Sequence, residues 1–342
     1  MPSDTLKALV IEGPPPLDPA WVEYEREHLT PAAPKKKKSY EAPTAIERQL
    51  AYAQECRDLH ARMMAPGARD HNLSKGIVKR QLTATSTKDG ATIPILAYTR
   101  EQDSGSDPDV VIVYFHGGGL WVGEVDSEEP SCRRLVLAGE NHAVYSVGYR
   151  LMPEYFASVC VSDAYDGFST VRQLVGNKPK LVVIGSSSGG QLAAHVSQMA
   201  PRGSVDGVLL RSPVTSDVFS GVEYVPERLR QYHKSATQAF VTSLGGFMKR
   251  AVPRDGLARM PLEADEEVLK GLPRTWIQVC TNDTLYSDGV CYAIALEEAG
   301  VEVKVRVVEG WPHTFWLLVP ELERALEAEL EMVDGLKWLL SG

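Results

Sequence analysis

The chain has 342 residues, enough for one large α/β domain with insertions or for two small domains, and its 44% hydrophobic and 24% charged content is that of an ordinary globular protein. A formal net charge of −9 argues against a nucleic-acid or anionic-membrane partner. The five cysteines (Cys56, Cys132, Cys160, Cys280, Cys291) are widely spaced and have no zinc-like or C-x-x-C pairing, which reads as reduced thiols in a cytoplasmic protein.

The first 75 residues read as a helical arm contributing to a cap. They carry Pro14-Pro15-Pro16, an amphipathic piece around Trp21, and the basic run Lys35–Lys38, taken as a solvated linker. There is no apolar stretch of signal-peptide type and no run of about eighteen apolar residues, so neither a secretory leader nor a membrane span is expected. Thr44-Ala-Ile-Glu47 is a capping-box pattern. From there Ile46, Leu50, Ala53, Cys56, Leu59 and Met63 recur at helical spacing until Pro66-Gly67.

A catalytic core is expected over 76–215 and 273–342. Strand patterns at Ile77–Thr85 and Thr92–Tyr98 flank the hairpin signal Lys88-Asp89-Gly90, and Val110–Phe115 is apolar without a break, as a strand covered on both faces must be. Strands and helices then alternate: a strand over His142–Tyr149, a helix over Ser162–Val175, a strand from Leu181, a helix from Gln191, and strands over Val208–Leu210 and Thr275–Cys280. A helix over Asp288–Ala299, a strand over Val301–Val308 and a helix over Pro320–Leu340 complete the pattern. Leu322, Leu326, Leu330, Val333, Leu336 and Leu340 form the apolar stripe of that last helix. Such alternation implies a mostly parallel sheet wrapped by helices. Residues 216–272 break it. Pro226–Lys234 and Thr237–Ala251 read there as two amphipathic helices, a helical cap insertion over the carboxyl ends of the strands, where open α/β sheets bind ligands.

Two glycine motifs carry chemistry. In Leu181-Val-Val-Ile-Gly-Ser-Ser-Ser-Gly-Gly190 a buried strand runs into a turn too tight for side chains at Gly185 and Gly189, then into a helix; Ser187 is pushed into the open and the Ser188 N–H stands at the helix N-terminus. In His116-Gly-Gly-Gly119, after the Val110 strand, the bare N–H groups of Gly118 and Gly119 can approach a substrate oxygen. Gly185-x-x-x-Gly-Gly lacks the dinucleotide pattern, and no phosphate loop or zinc spacing is present.

Together with Tyr149-Arg-Leu-Met-Pro-Glu154, Asp283-Thr-Leu-Tyr-Ser-Asp-Gly289 and His313-Thr-Phe315, these motifs resemble the hormone-sensitive-lipase-like branch of the α/β-hydrolases, the HGGG or arylacetamide-deacetylase-like serine esterases. The likeness spans residue 75 to the C-terminus. It implies an α/β-hydrolase fold and a triad in chain order Ser187, Asp283, His313, with Gly118, Gly119 and Ser188 as oxyanion hole. Asp283 matches the branch's D-x-L position, whereas Asp288 suits the start of the next helix. Trp121, Tyr286, Trp311 and Phe315 flank the motifs as candidate pocket walls, with ordinary core packing as the competing reading. His116 is expected to order the glycine loop, and the remaining histidines have no triad context. The branch usually reads Gly-Asp-Ser-Ala-Gly-Gly, so Ser186 and Ser188 are departures, and the first removes a carboxylate from the turn.

The expected activity is hydrolysis of a small apolar ester or lactone, aromatic ones included, through an acyl-enzyme, with no metal or organic cofactor. The same residues also suit lactonisation, dehydration or release of a biosynthetic intermediate. A non-catalytic ligand receptor is the reading from another class, opposed by the presence of His313. The partner is a small molecule, and the sequence leaves a homodimer open.

Overall fold

Six apolar residues in succession have no polar face to turn to water, and Val110–Phe115 (β3) accordingly lies in the middle of an eight-stranded sheet, buried from Val111 on. The computed structural model describes residues 4–29, 43–243 and 254–341. The other strands are Ile77–Thr85 (β1), Thr92–Arg100 (β2), His142–Val147 (β4), Lys180–Ser186 (β5), Gly207–Arg211 (β6), Thr275–Asn282 (β7) and Val303–Pro312 (β8). Their order is β1-β2-β4-β3-β5-β6-β7-β8; β2 pairs antiparallel with β1 and β4, and the other neighbours are parallel. All eight strand patterns in the sequence are strands of this sheet.

The longer helices are Ala45–Met63 (α1), Glu129–Leu137 (α2), Ala157–Val175 (α3), Ser188–Met199 (α4), Tyr286–Glu298 (α5) and Glu323–Leu340 (α6). Alternation along β3 divides the core. Val111, Val113 and Phe115 pack with residues of α3, α4 and α5, while Ile112 and Tyr114 pack with residues of α2 and α6. Each such apolar side chain, fully buried, contributes about 1.5–3 kcal/mol. The chain leaves β3 for β4 through α2 on one face, then passes to β5 on the other side of β3 and continues into α4 on the opposite face. This divergence opens a crevice at the carboxyl ends of β3 and β5, where Phe115 pairs with Gly185. The two glycine motifs, 68 residues apart from Gly119 to Ser187 (187 − 119), meet there because their strands are neighbours.

Several expectations are corrected. The helix α2 is an element for which the sequence reading gave no range; its short buried face mixes Cys132, Leu135 and Val136 with Glu129, Ser131 and Arg133. The buried face of α6 is only partly the expected stripe: Val333 and Leu336 of the stripe are buried together with Ala325, Ala328, Glu329, Met332 and Leu339, whereas Leu330 is 49% exposed. Small residues make this contact, since a Cβ at Gly335 would lie 2.6 Å from the Trp276 ring, and a search for large apolar side chains passes over them. In α1 the Thr44–Glu47 capping box is present and Ala53 and Met63 are buried, but Ile46 and Leu50 are exposed.

The two amphipathic helices expected within 216–272 are not seen among the described residues. Glu227–Arg230 is a single α-turn and Gln238–Phe240 a 3₁₀ turn; the rest of the second expected helix, 244–251, lies outside the described residues, as does the Lys35–Lys38 run. The cause is tertiary. Lys234 and Ser235 N–H both donate to Ser287 Oγ at 3.0 Å, and Ser235 Oγ donates to the Thr284 carbonyl at 2.8 Å, so the first turn of α5 takes the hydrogen bonds a helix would have used. The arm is more integrated than expected, because Leu6 and Trp21 belong to the buried clusters. Asp18 N–H bonds the Gly310 carbonyl at 2.9 Å, and Asn282 Nδ2 donates to the Pro15 carbonyl at 2.8 Å.

Candidate active site

At the end of β5 the chain reverses into α4 through Ser187, whose backbone takes φ 54°, ψ −120°. A non-glycine residue held in such a conformation costs on the order of 1–3 kcal/mol, which the surrounding contacts sustain. Those contacts need bare backbone: a Cβ at Gly185 would run into the Gly189 carbonyl, and one at Gly189 into the Phe115 carbonyl. Ser187 N–H bonds the Arg211 carbonyl at 2.8 Å, fixing the turn to β6.

Asp283 follows β7 and His313 follows β8, so both reach the same end of the sheet as Ser187. His313 Nε2 lies 2.9 Å from Ser187 Oγ, and His313 Nδ1 lies 2.7 Å from Asp283 Oδ2. An ionised carboxylate only accepts, so Nδ1 carries the ring proton and Nε2 is left to accept from the serine hydroxyl. The other Asp283 oxygen accepts the Leu285 N–H at 2.8 Å. All three side chains are buried, with Ser187 3% and His313 6% exposed, so the chain of hydrogen bonds is shielded from competing water.

The glycine loop faces this chain. Gly118 has φ 109°, and a Cβ there would collide with the Val122 carbonyl. Among the described residues the N–H groups of Gly118 and Gly119 donate to no protein acceptor, whereas Leu120 N–H donates to Ser188 Oγ at 3.2 Å. Behind the loop His116 stacks on Tyr149 at 4.3 Å, and its Nδ1 bonds the Gly117 carbonyl at 2.7 Å. Burial pushes the His116 imidazole down to about 4, so it is neutral near pH 7. Tyr149 O–H donates to the His116 carbonyl at 2.7 Å.

A model of the alpha/beta hydrolase fold family matches residues 112–317, a span that holds both glycine motifs, Asp283 and His313. The chain belongs to the alpha/beta hydrolase fold family. It is an enzyme of that family's carboxylic ester hydrolase class. Ethyl acetate hydrolase of Pseudomonas putida is 29% identical over 269 residues, 74% of this chain and 80% of the relative. Carboxylesterase NlhH of Mycobacterium tuberculosis is 30% identical over 258 residues, 69% of this chain and 76% of the relative. Among solved structures, vibralactone cyclase superposes with a TM-score of 0.74 over 97% of each chain at 21% identity, a likeness of fold.

In this alpha/beta hydrolase the second aspartate is spent elsewhere. Asp288 Oδ2 accepts the N–H groups of Thr215 and Ser216 at 2.7 and 2.8 Å, and Oδ1 lies 2.8 Å from His233 Nε2. His233, expected to stand outside the triad, is thus part of a buried clasp joining 215–233 to α5. Of the aromatic residues that flank the motifs, Trp121 is half-buried beside Gly119. Tyr286 is buried and its hydroxyl donates to the Leu9 carbonyl at 2.6 Å. Trp311 and Phe315 meet with tilted rings 4.5 Å apart within a buried cluster that includes Trp21 and Trp316. Glu128, which the sequence reading did not single out, is buried against the glycine loop, where Oε1 accepts the Gly117 N–H at 2.6 Å. Its sequence context, two adjacent glutamates before a helix, looks like an ordinary solvated helix start.

No helix among the described residues is long and apolar enough to cross a membrane.

Proposed function

We propose that the chain is a serine carboxylesterase in which Ser187 is the nucleophile, His313 the general base and Asp283 the orienting acid. The observation that carries the reading is the unbroken hydrogen-bond chain Asp283–His313–Ser187, at 2.7 and 2.9 Å, on a strained strand-to-helix turn. Ser187 Oγ attacks the ester carbonyl carbon while its proton passes to His313 Nε2. The carbonyl oxygen gains the electron pair and is met by the N–H groups of Gly118, Gly119 and Ser188. Collapse breaks the bond to the alcohol oxygen, which takes the proton from His313. Water, deprotonated by the same imidazole, then releases the acid and restores the serine. Asp283 balances the imidazolium and keeps its Nδ1 proton in place.

The substrate is a small, apolar ester. One relative's name, ethyl acetate hydrolase, favours a short acyl group, and half-buried Trp121 beside Gly119 offers apolar surface next to the proposed oxyanion hole. The described parts of 216–272 and of the arm, joined to α5 and to the ends of β7 and β8 by the bonds described above, act as the cap over this end of the sheet. The five cysteines are free, which fits a reducing compartment such as the cytoplasm.

Fluorophosphonate labelling followed by a chain-length panel of p-nitrophenyl esters tests the reading. The wild type takes the label and turns over acetate and butyrate fastest. Ser187→Ala loses the label, and kcat falls by about 10⁶. A Ser187→Ala variant that hydrolyses p-nitrophenyl acetate like the wild type refutes the assignment.

A further inference from the structure

The glycine loop is bracketed by two hydrogen bonds. Gly117 N–H donates to Glu128 Oε1 at 2.6 Å on one side of Gly118-Gly119, and Leu120 N–H donates to Ser188 Oγ at 3.2 Å on the other. Glu128 stands at the start of α2 and is 5% exposed. Its second oxygen accepts the Tyr114 O–H at 2.5 Å, and that hydroxyl lies 3.4 Å from Ser186 Oγ. The loop is also pressed onto the turn, since a Cβ at Gly117 would lie 3.1 Å from the Ser186 carbonyl oxygen and 3.4 Å from Ser187 Cβ. Ser186 and Ser188 are the two positions at which this turn departs from the Asp and Ala of the branch it resembles.

We propose that Glu128 and the Ser188 hydroxyl are positioning residues, a two-point clamp that holds the Gly117–Leu120 loop against the Ser187 turn and aims the Gly118 and Gly119 N–H groups at the substrate oxyanion. This rests on the esterase reading above. Glu128 brings in from α2 a carboxylate that Ser186 does not supply, and it does so at the loop's first N–H. Burial pushes its carboxyl up, while the bonds from Tyr114 and Gly117 act the other way. Removing an acceptor from a buried N–H leaves that group unsatisfied, and the loop moves to find another partner. The cost then falls on the developing oxyanion and spares ground-state binding.

The test measures kcat and KM on p-nitrophenyl acetate, the rate of fluorophosphonate inactivation and thermal melting. Glu128→Ala is expected to lower kcat by about 30–100-fold with KM within about threefold, and to slow inactivation in parallel, since the phosphonyl oxygen uses the same N–H groups. Glu128→Gln, whose Oε1 still accepts from Gly117, is expected to stay within about tenfold of wild type. Ser188→Ala is expected to lower kcat by at least about threefold.

The relocated carboxylate supplies the decisive comparison. Ser186→Asp alone crowds a second acid against Glu128 and lowers kcat, whereas added to Glu128→Ala it raises kcat by about tenfold. A merely structural Glu128 does not produce this reversal of sign. If Glu128→Ala and Ser188→Ala both keep kcat within about twofold of wild type, or if Ser186→Asp is equally harmful in both backgrounds, the clamp is overturned. Should Glu128→Ala not fold, Tyr114→Phe and Ser188→Ala carry the test at the same thresholds. Wild-type turnover by Ser187→Ala marks failure of the esterase reading instead, and is scored separately.

Discussion

Asp283 uses its two oxygens differently: one accepts from His313 at 2.7 Å, the other from Leu285 N–H at 2.8 Å. Asparagine in its place can keep the loop bond but must offer an amide donor to the imidazole, or lose the bond to Nδ1–H. Asp283→Asn is therefore expected to lower kcat by about 10⁴ while the melting temperature barely moves, as steady-state kinetics beside a thermal melt will check. A second consequence at this scale concerns acid. Burial pushes His60 down to about 4 against an ordinary value of 6.5. Between those values the unfolded chain binds a proton that the folded chain refuses, so stability is full above pH 6.5 and falls as the pH drops toward about 4. The share from this residue is about 2–3 kcal/mol. Urea midpoints at pH 7 and pH 4.5 should therefore differ more for wild type than for His60→Gln. Single residues were partly legible in advance. Glycines at a tight turn and histidine after a strand announce themselves, whereas Glu128 is one more surface-type residue until the fold surrounds it.

Elements were read well where periodicity is the cause of structure and badly where contacts are. The inner strands β3 to β7 are apolar because helices cover both faces, so their pattern carries their position. The start of α1 is equally local, since Thr44 and Glu47 satisfy each other's backbone groups. By contrast, α6 turns Gly335 toward the Trp276 ring and Ala325 and Ala328 into the cluster of Trp311 and Trp316, and the segment around Ser235 gives up helix for bonds to Ser287 and Thr284. The arm is the clearest case. Trp21 is 1% exposed and meets Trp311 edge-on at 6.1 Å, two residues before His313. Trp21→Ala is expected to cost about 3–5 kcal/mol in urea unfolding. It should also lower kcat more than it changes KM, because the cavity loosens the loop that carries the imidazole. An unchanged kcat in a folded variant would show that the arm only stabilises.

Across the whole molecule, the sheet and its outer helices are tied by a buried ion pair. Arg211 on β6 is 0% exposed and bonds Glu329 of α6 at 2.6 Å, Gln278 of β7 at 2.8 Å and the Ala328 carbonyl at 3.1 Å, with its guanidinium over the Trp316 ring at 4.1 Å. Ser131 of α2 donates to the other Glu329 oxygen at 2.8 Å. Arg211→Ala takes the nearer cation from the buried Glu329 carboxylate, leaving it Ser131 and the Arg134 guanidinium at 3.6 Å, and is expected to cost about 3 kcal/mol. The double variant Arg211→Met, Glu329→Leu should lose markedly less, as chemical denaturation of both will report.

What the sequence by itself determined is everything that follows from local spacing. This covers the eight strands, the wrapped parallel sheet and the two glycine motifs with Ser187, while Asp283 and His313 entered as candidates through the resemblance to the hydrolase branch. Strand pattern and turn chemistry act over a few residues, and the order of strands in such a fold places their ends together. Tertiary structure alone decided what each remaining polar group bonds. It sent Asp288 to the 215–233 clasp, Tyr286 to the arm and Glu128 to the glycine loop. A buried N–H or carboxylate must find a partner wherever the fold supplies one, and that partner can stand over two hundred residues away, as Leu9 does from Tyr286.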